Sequence, residues 1–166
     1  AALALGAPDR AVSFAVPTGN FGDIYAGYLA RRMGLPIARL VIATNVNDIL
    51  DRALKTGRYD IRGVTPSSSP SMDIQVASNF ERYLYYRLGN DGAKLTDAMT
   101  QFARTGSLSI SAEVDGLFLA GVGNRASTLS TIKRYYEQHH YLLDPHTAVG
   151  VHVAEQHFHH RLAEVA

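Results

Sequence analysis

The residues Thr18-Gly19-Asn20-Phe21-Gly22-Asp23 carry the clearest chemistry in the sequence. Glycines at 19 and 22 let the backbone fold tightly with no Cβ in the way. The stretch that follows predicts a helix whose free N–H groups and positive dipole end face back onto the turn. Together these make an anion site suited to a phosphate. The turn is not a Walker loop, since no Gly-Lys-Ser/Thr follows, and the dinucleotide fingerprint G-x-G-x-x-G is absent. A carboxylate in a first helical turn favours the dipole, but Asp23 would repel a phosphate. Its side chain is expected to point away while its N–H contributes. The plainer alternative is that Thr18 or Asn20 caps the helix and nothing binds.

Asp144-Pro145-His146-Thr147 is the second candidate. Pro145 stiffens the turn. Thr147 is either a helix N-cap or a hydroxyl aimed at a ligand from the start of a helix. His152, His157, His159 and His160 read as a solvated, weakly basic helix face, because no carboxylate–histidine spacing of known metal geometry accompanies them. No metal is expected. Glu81, Glu113 and Asp115 offer carboxylates that the sequence does not pair, and there is no serine nucleophile elbow.

The elements that must position these residues follow from periodicity. Ala11–Val16 reads as a short buried strand closed by Pro17. Phe21, Ile24, Tyr25, Tyr28 and Leu29 form one apolar helical stripe, ended by Gly34 and Pro36. Arg39–Thr44 is a second strand, apolar enough to be covered on both faces of a parallel sheet. Asn45 or Asn47 is expected to cap a helix that Gly57 ends. Arg62–Ser71, with two prolines and four serines, reads as a long loop, either a binding element or a linker. Helices are predicted over about 74–88 and 94–104, a strand at Leu117–Val122, and a helix from Ser127 or Thr128 to about His139. A short strand at 141–143 and a final helix over about 148–165 complete the chain. Residues 1–60 thus form a strand–loop–helix–strand unit, and 61–166 a helical and α/β remainder of the same fold.

Composition narrows the function classes. With 166 residues, 46% apolar and 19% charged, the chain is no disordered polymer. At this length about 70% of the unfolded surface can be buried, enough for a real core. No 18-residue apolar run exists to span a membrane. The net charge of +1 is interspersed, which gives no support to nucleic-acid or membrane-surface binding. Zero cysteines remove disulfides, thiolate metal sites and cysteine nucleophiles, and fit a reducing compartment. Ala1–Ala7 lack a charged n-region, so no signal peptide is read and a cytoplasmic location is expected. The first residue is not methionine, which leaves open a processed protein or a piece of a longer one.

At Val16–Asp23 the sequence resembles the threonine synthase family, pyridoxal-phosphate enzymes of the tryptophan synthase β-like fold. The resemblance continues through Gly34–Ile37, Ile42–Leu50 and Ser69–Arg82, and returns at Asp144–Val151. It implies an α/β fold, a three-layer parallel-sheet domain, here incomplete. It implies conversion of O-phosphohomoserine and water to threonine and phosphate. Gly19, Asn20, Phe21, Gly22 and Asp23 match the loop that binds the phosphate of pyridoxal 5'-phosphate. Thr147 matches the hydroxyl beside the pyridine nitrogen, and a neutral group there implies an unprotonated or weakly protonated ring. Ser71, Met72 and Asp73 belong to a family hallmark without an assignable role. The family's Schiff-base lysine lies upstream of the loop, whereas this chain has only Lys55, Lys94 and Lys133, none in a matching block. The expectation is a piece of the catalytic chain, inactive alone, that self-associates without its missing upstream segment. A non-catalytic phosphate-binding or interaction module and a sibling serine/threonine dehydratase are the alternatives.

Overall fold

The middle strand of the sheet fixes the layering. In the computed structural model, which describes residues 1–110 and 116–158, β1 (Val12–Pro17) is followed by α1 (Gly22–Arg32) and β2 (Ile37–Thr44). Next come α2 (Ile49–Thr56), β3 (Arg58–Asp60), α3 (Phe80–Arg87), α4 (Gly92–Thr105) and β4 (Ser107–Ser109). The last elements are β5 (Phe118–Val122), α5 (Arg125–His139) and α6 (Pro145–Phe158). β2 pairs in parallel with β1 on one side and β5 on the other, while β3 and β4 form a separate antiparallel ribbon.

Residues 40–44 of β2 are all buried, as a strand covered on both faces requires. Leu40 and Ile42 turn toward α1, α2 and α3; Val41 and Ala43 turn toward α6. The first face is filled by aromatic rings. Phe21 and Tyr83 touch each other and both touch Phe80 and Phe118, and Tyr59 bridges Phe80 to Phe102 on α4.

The second face holds α6 close because glycines stand at the points of nearest approach. Gly121 stands under Val153, Gly123 under Val149, and Gly150 of the helix against Pro17. A Cβ on Gly121 would sit 2.6 Å from Val153 Cγ1. These contacts run the helix antiparallel to the strands, so its N-terminus and residue 147 lie at the carboxyl edge of the sheet. That edge is where open α/β sheets bind ligands.

Several sequence expectations are corrected. The β3–β4 ribbon was not foreseen, because three-residue strands leave no alternation to read. The helix expected over 74–88 begins only at Phe80, because Asp73 is tied into a polar network and the Ala77 amide donates to the Tyr59 hydroxyl. Neither Asn45 nor Asn47 caps α2; Asp48 holds that position without a capping side-chain bond, its carboxylate accepting from Arg52 Nε instead. Asn124 caps α5, accepting from the Ser127 amide, in place of Ser127 or Thr128. Residues 141–143 form no strand; only Leu143 is buried, with Tyr141 and Leu142 exposed. The stretch expected to extend the last helix to 165 lies beyond residue 158, outside the described residues, as do Glu113, Asp115, His159 and His160.

Gly121→Ala is expected to lower stability by about 1–3 kcal/mol through overpacking. Val153→Ala in the same chain should restore part of that loss. Urea denaturation of the single and double variants checks both, and strict additivity would count against the close approach.

Candidate functional site

The turn after β1 owes its shape to one side chain. Phe21 has φ 69°, in the left-handed region, which costs a residue with a Cβ roughly 1–2 kcal/mol. Its ring is fully buried, 5.2 Å from the Phe80 centroid and 5.8 Å from that of Tyr83. Burying an aromatic side chain is worth about 1.5–3 kcal/mol, which offsets the strain.

The rest of the turn is pinned from three sides. The Thr18 amide donates to the Ala43 carbonyl, and its hydroxyl to the Val16 carbonyl, so Thr18 is not a helix cap. Asn20 Oδ1 accepts from the Gly22 amide at 3.1 Å, and the Asn20 carbonyl accepts from the amide and Nδ2 of Asn79. A Cβ at Gly19 would collide with the Ser71 carbonyl oxygen. Asn20 therefore takes one amide at the start of α1. The amides of Gly19, Asn20, Phe21, Asp23 and Ile24 donate to no group among the described residues. Five open donors at a helix N-terminus are the arrangement an anion needs.

The serine loop is fastened to the end of β2 by Asp73. Its Oδ1 accepts from Asn45 Nδ2 (2.7 Å), Asn47 Nδ2 (3.0 Å) and the Ser67 hydroxyl (2.6 Å), and its Oδ2 from the Ser67 amide (2.8 Å). Burial works to raise the Asp73 pKa, but these hydrogen bonds outweigh it and hold the carboxyl below its ordinary value. Asn47 adds a two-way bond to the backbone of Thr65. Met72 packs on Ala43 and Val149, between the turn and α6. The hallmark segment that sequence reasoning left without a role is thus the strut holding Ser71 against Gly19.

At the other component, Asp144 takes the cap and Thr147 lies inside α6. The Asp144 carboxylate accepts from the His146 amide (2.8 Å), the Thr147 amide (3.4 Å), His146 Nδ1 (3.0 Å) and the Thr147 hydroxyl. The Thr147 bond is the largest cause of a pKa lowered to about 2. Sequence reading missed this use of Asp144, though the i, i+3 spacing of Asp144 and Thr147 signalled it.

The remaining candidates are placed elsewhere. Lys55, Lys94 and Lys133 lie on α2, α4 and α5, paired with Asp51, Asp91 and Glu137. His152 meets Gln156, and His157 reaches the Ala120 carbonyl. Glu81 lies in the first turn of α3. A cleft of about 510 Å³ opens between the carboxyl ends of β2 and β5, lined by Asn45, Ser67, Ser69, Gly123, Asn124 and Thr128. No residue of the 18–23 turn lines it.

The parallel sheet, with the amide-lined turn and the start of α6 at its carboxyl edge, has the architecture of the tryptophan synthase β-like class of pyridoxal-phosphate enzymes. The crystal structure of pyridoxal-phosphate-bound threonine synthase from Brucella melitensis superposes with a TM-score of 0.90 at 53% identity, over 93% of this chain and 34% of that one. Yeast threonine synthase superposes at 0.83 with 41% identity, over 92% and 33%. Threonine synthase of Pseudomonas aeruginosa is 49% identical over 160 residues, covering 94% of this chain and 34% of that protein. No protein-family model matches the chain. Threonine synthases match most of this chain, which spans about a third of the length of those relatives.

Asp73→Ala leaves buried donors on Asn45, Asn47 and Ser67 unmatched and is expected to cost about 1–3 kcal/mol, read as a lower denaturation midpoint. For Asp144 the folded pKa lies below the unfolded one. Its stabilising contribution is therefore complete above the ordinary carboxyl value of 3.8 and disappears as pH falls toward about 2. Removing the carboxylate should flatten the acid limb of the stability–pH curve in that window alone.

Proposed function

We propose that this chain supplies the cofactor-phosphate loop and the ring-nitrogen contact of a threonine synthase. In that reading the whole protein converts O-phospho-L-homoserine and water to L-threonine and phosphate, as a pyridoxal-phosphate-dependent lyase. The open amides of the turn carry the reading, because they are donors without acceptors at the carboxyl edge of a sheet.

Gly19, Asn20, Phe21, Gly22 and Asp23 hold the cofactor phosphate through main-chain N–H groups, backed by the positive end of α1. The glycines allow close approach, and Phe21 aims the amides. The Asp23 carboxylate stays in solvent. Thr147 meets the ring nitrogen from the first turn of α6. When bound, pyridoxal phosphate supplies an electron sink for carbanionic chemistry. The amine that attaches it comes from outside the matched third, since all three lysines here sit on helices in ion pairs. Without that nucleophile the 166 residues alone have no turnover.

No helix among the described residues is long and apolar enough to cross a membrane, and the reading places the protein in the cytoplasm. No nucleic acid or membrane takes part. The sheet ends at β1 on one side and β5 on the other, and the outer edge of β1 has no strand beside it among the described residues. In isolation that edge favours self-association.

Phosphate release from O-phosphohomoserine by the full-length protein tests the activity; failure to release it, or preference for serine, overturns it. Gly19→Ala, whose Cβ meets a backbone oxygen, is expected to weaken pyridoxal-phosphate retention by at least about tenfold, or about 1.4 kcal/mol. Equilibrium dialysis measures it.

A further inference from the structure

A trans peptide is planar, so its carbonyl and its N–H point in opposite directions. At the Asn20–Phe21 peptide the carbonyl is held toward the start of α3. It accepts from the Asn79 amide at 3.0 Å and from Asn79 Nδ2 at 3.2 Å. The Phe21 N–H, on the opposite edge of the same peptide, therefore points away from Asn79, and it has no partner among the described residues. We propose that the Asn79 side chain is a latch, a positioning group that keeps this peptide turned so that an N–H and not a carbonyl oxygen faces the cofactor phosphate. This rests on the reading above that the turn holds that phosphate.

Two observations support the inference. The first is the strain at Phe21, whose φ is 69°. A peptide can rotate about the line joining its two α-carbons. Half a turn of the Asn20–Phe21 peptide would carry φ of Phe21 into the negative range that side chains prefer. The relaxed turn is thus the wrong one for an anion, because it withdraws a donor and presents a carbonyl oxygen. The Phe21 ring anchors one end of this peptide, and the bonds from Asn79 oppose its rotation. The second observation is where Asn79 stands. It occupies the N-cap position of α3, where an asparagine side chain ordinarily accepts from the amides of its own helix. Asn79 makes no such bond. Its amide group reaches the turn instead, and α3 begins without the usual cap.

The competing account makes Asn79 a plain tether between α3 and the turn. Asn79→Ser separates the two, since serine can cap α3 but its hydroxyl is one atom short of the reach of Nδ2. The probes are pyridoxal 5'-phosphate and pyridoxal, which lacks the phosphate, each dialysed against the full-length protein that contains this chain. Asn79→Ser is expected to weaken pyridoxal 5'-phosphate by about three- to tenfold, the worth of one neutral hydrogen bond, and to leave pyridoxal unmoved. Equal weakening of both compounds makes Asn79 a tether and overturns the proposal, as does weakening of neither. An unaltered protein that does not prefer the phosphorylated compound defeats the underlying reading, and the latch with it. A crystal structure of the unaltered full-length protein with the cofactor bound decides the matter even where the variant does not fold. The Phe21 N–H should lie on a phosphate oxygen with the Asn20 carbonyl still on Asn79, and a carbonyl turned to the phosphate overturns the latch alone.

Discussion

A phenylalanine that pays in backbone strain for a place in the core is the constraint on which the rest of the site depends. Phe21 takes a left-handed conformation while its ring packs among Phe80, Tyr83 and Phe118. The two facts are coupled. With the ring fixed inward, the peptide units on either side have little freedom, and the N–H groups of Gly19, Asn20 and Phe21 are left without a partner among the described residues. A glycine at 21 would relieve the strain but remove the anchor. The turn would then have neither a single conformation nor a fixed set of donors.

Everything else near the turn converts that local geometry into a durable one. Asn79 holds the Asn20 carbonyl from α3, and Ser71 closes over Gly19 from the serine loop. That loop is itself held by Asp73, whose four accepted bonds come from β2's exit and from Ser67. The polar network is almost fully satisfied internally. It therefore resembles a structural joint more than a reactive centre, with the open donors confined to the turn it supports. At α6, glycines on both partners set the helix close to the sheet and bring Thr147 to the same edge.

Much of this was legible in the sequence, for definite reasons. β1, β2 and β5 are largely apolar runs bounded by turn residues, and α1 has an apolar stripe, so local pattern and tertiary burial agree. The turn at 18–23 was legible because glycine spacing and a helix start together define an anion site, and resemblance identified which anion. What escaped notice depends on contacts distant in sequence. Residues 74–79 have helical periodicity, yet the Tyr59 hydroxyl takes the Ala77 amide, and Gln75 and Asn79 reach the backbone of Arg62 and Asn20. Asn45 and Asn47 looked like caps because that is the commonest local use of asparagine. Their partners at Ser67 and Asp73 could not be read from spacing. Asp144 was the reverse case: the cap was one position class away from Thr147, and the hydroxyl was read without the carboxylate behind it.

The order of the strands has a consequence for how the chain acquires this shape. β1 and β2 are joined by one helix, whereas Thr44 and Gly121, which share a hydrogen bond, are 77 residues apart. Closing so long an interval is slow compared with forming the first unit. As the polypeptide leaves the ribosome, the far side of β2 therefore waits, greasy and unpaired, until β5 arrives. Leu40, Val41 and Ile42 have no strand beside them on that edge until then.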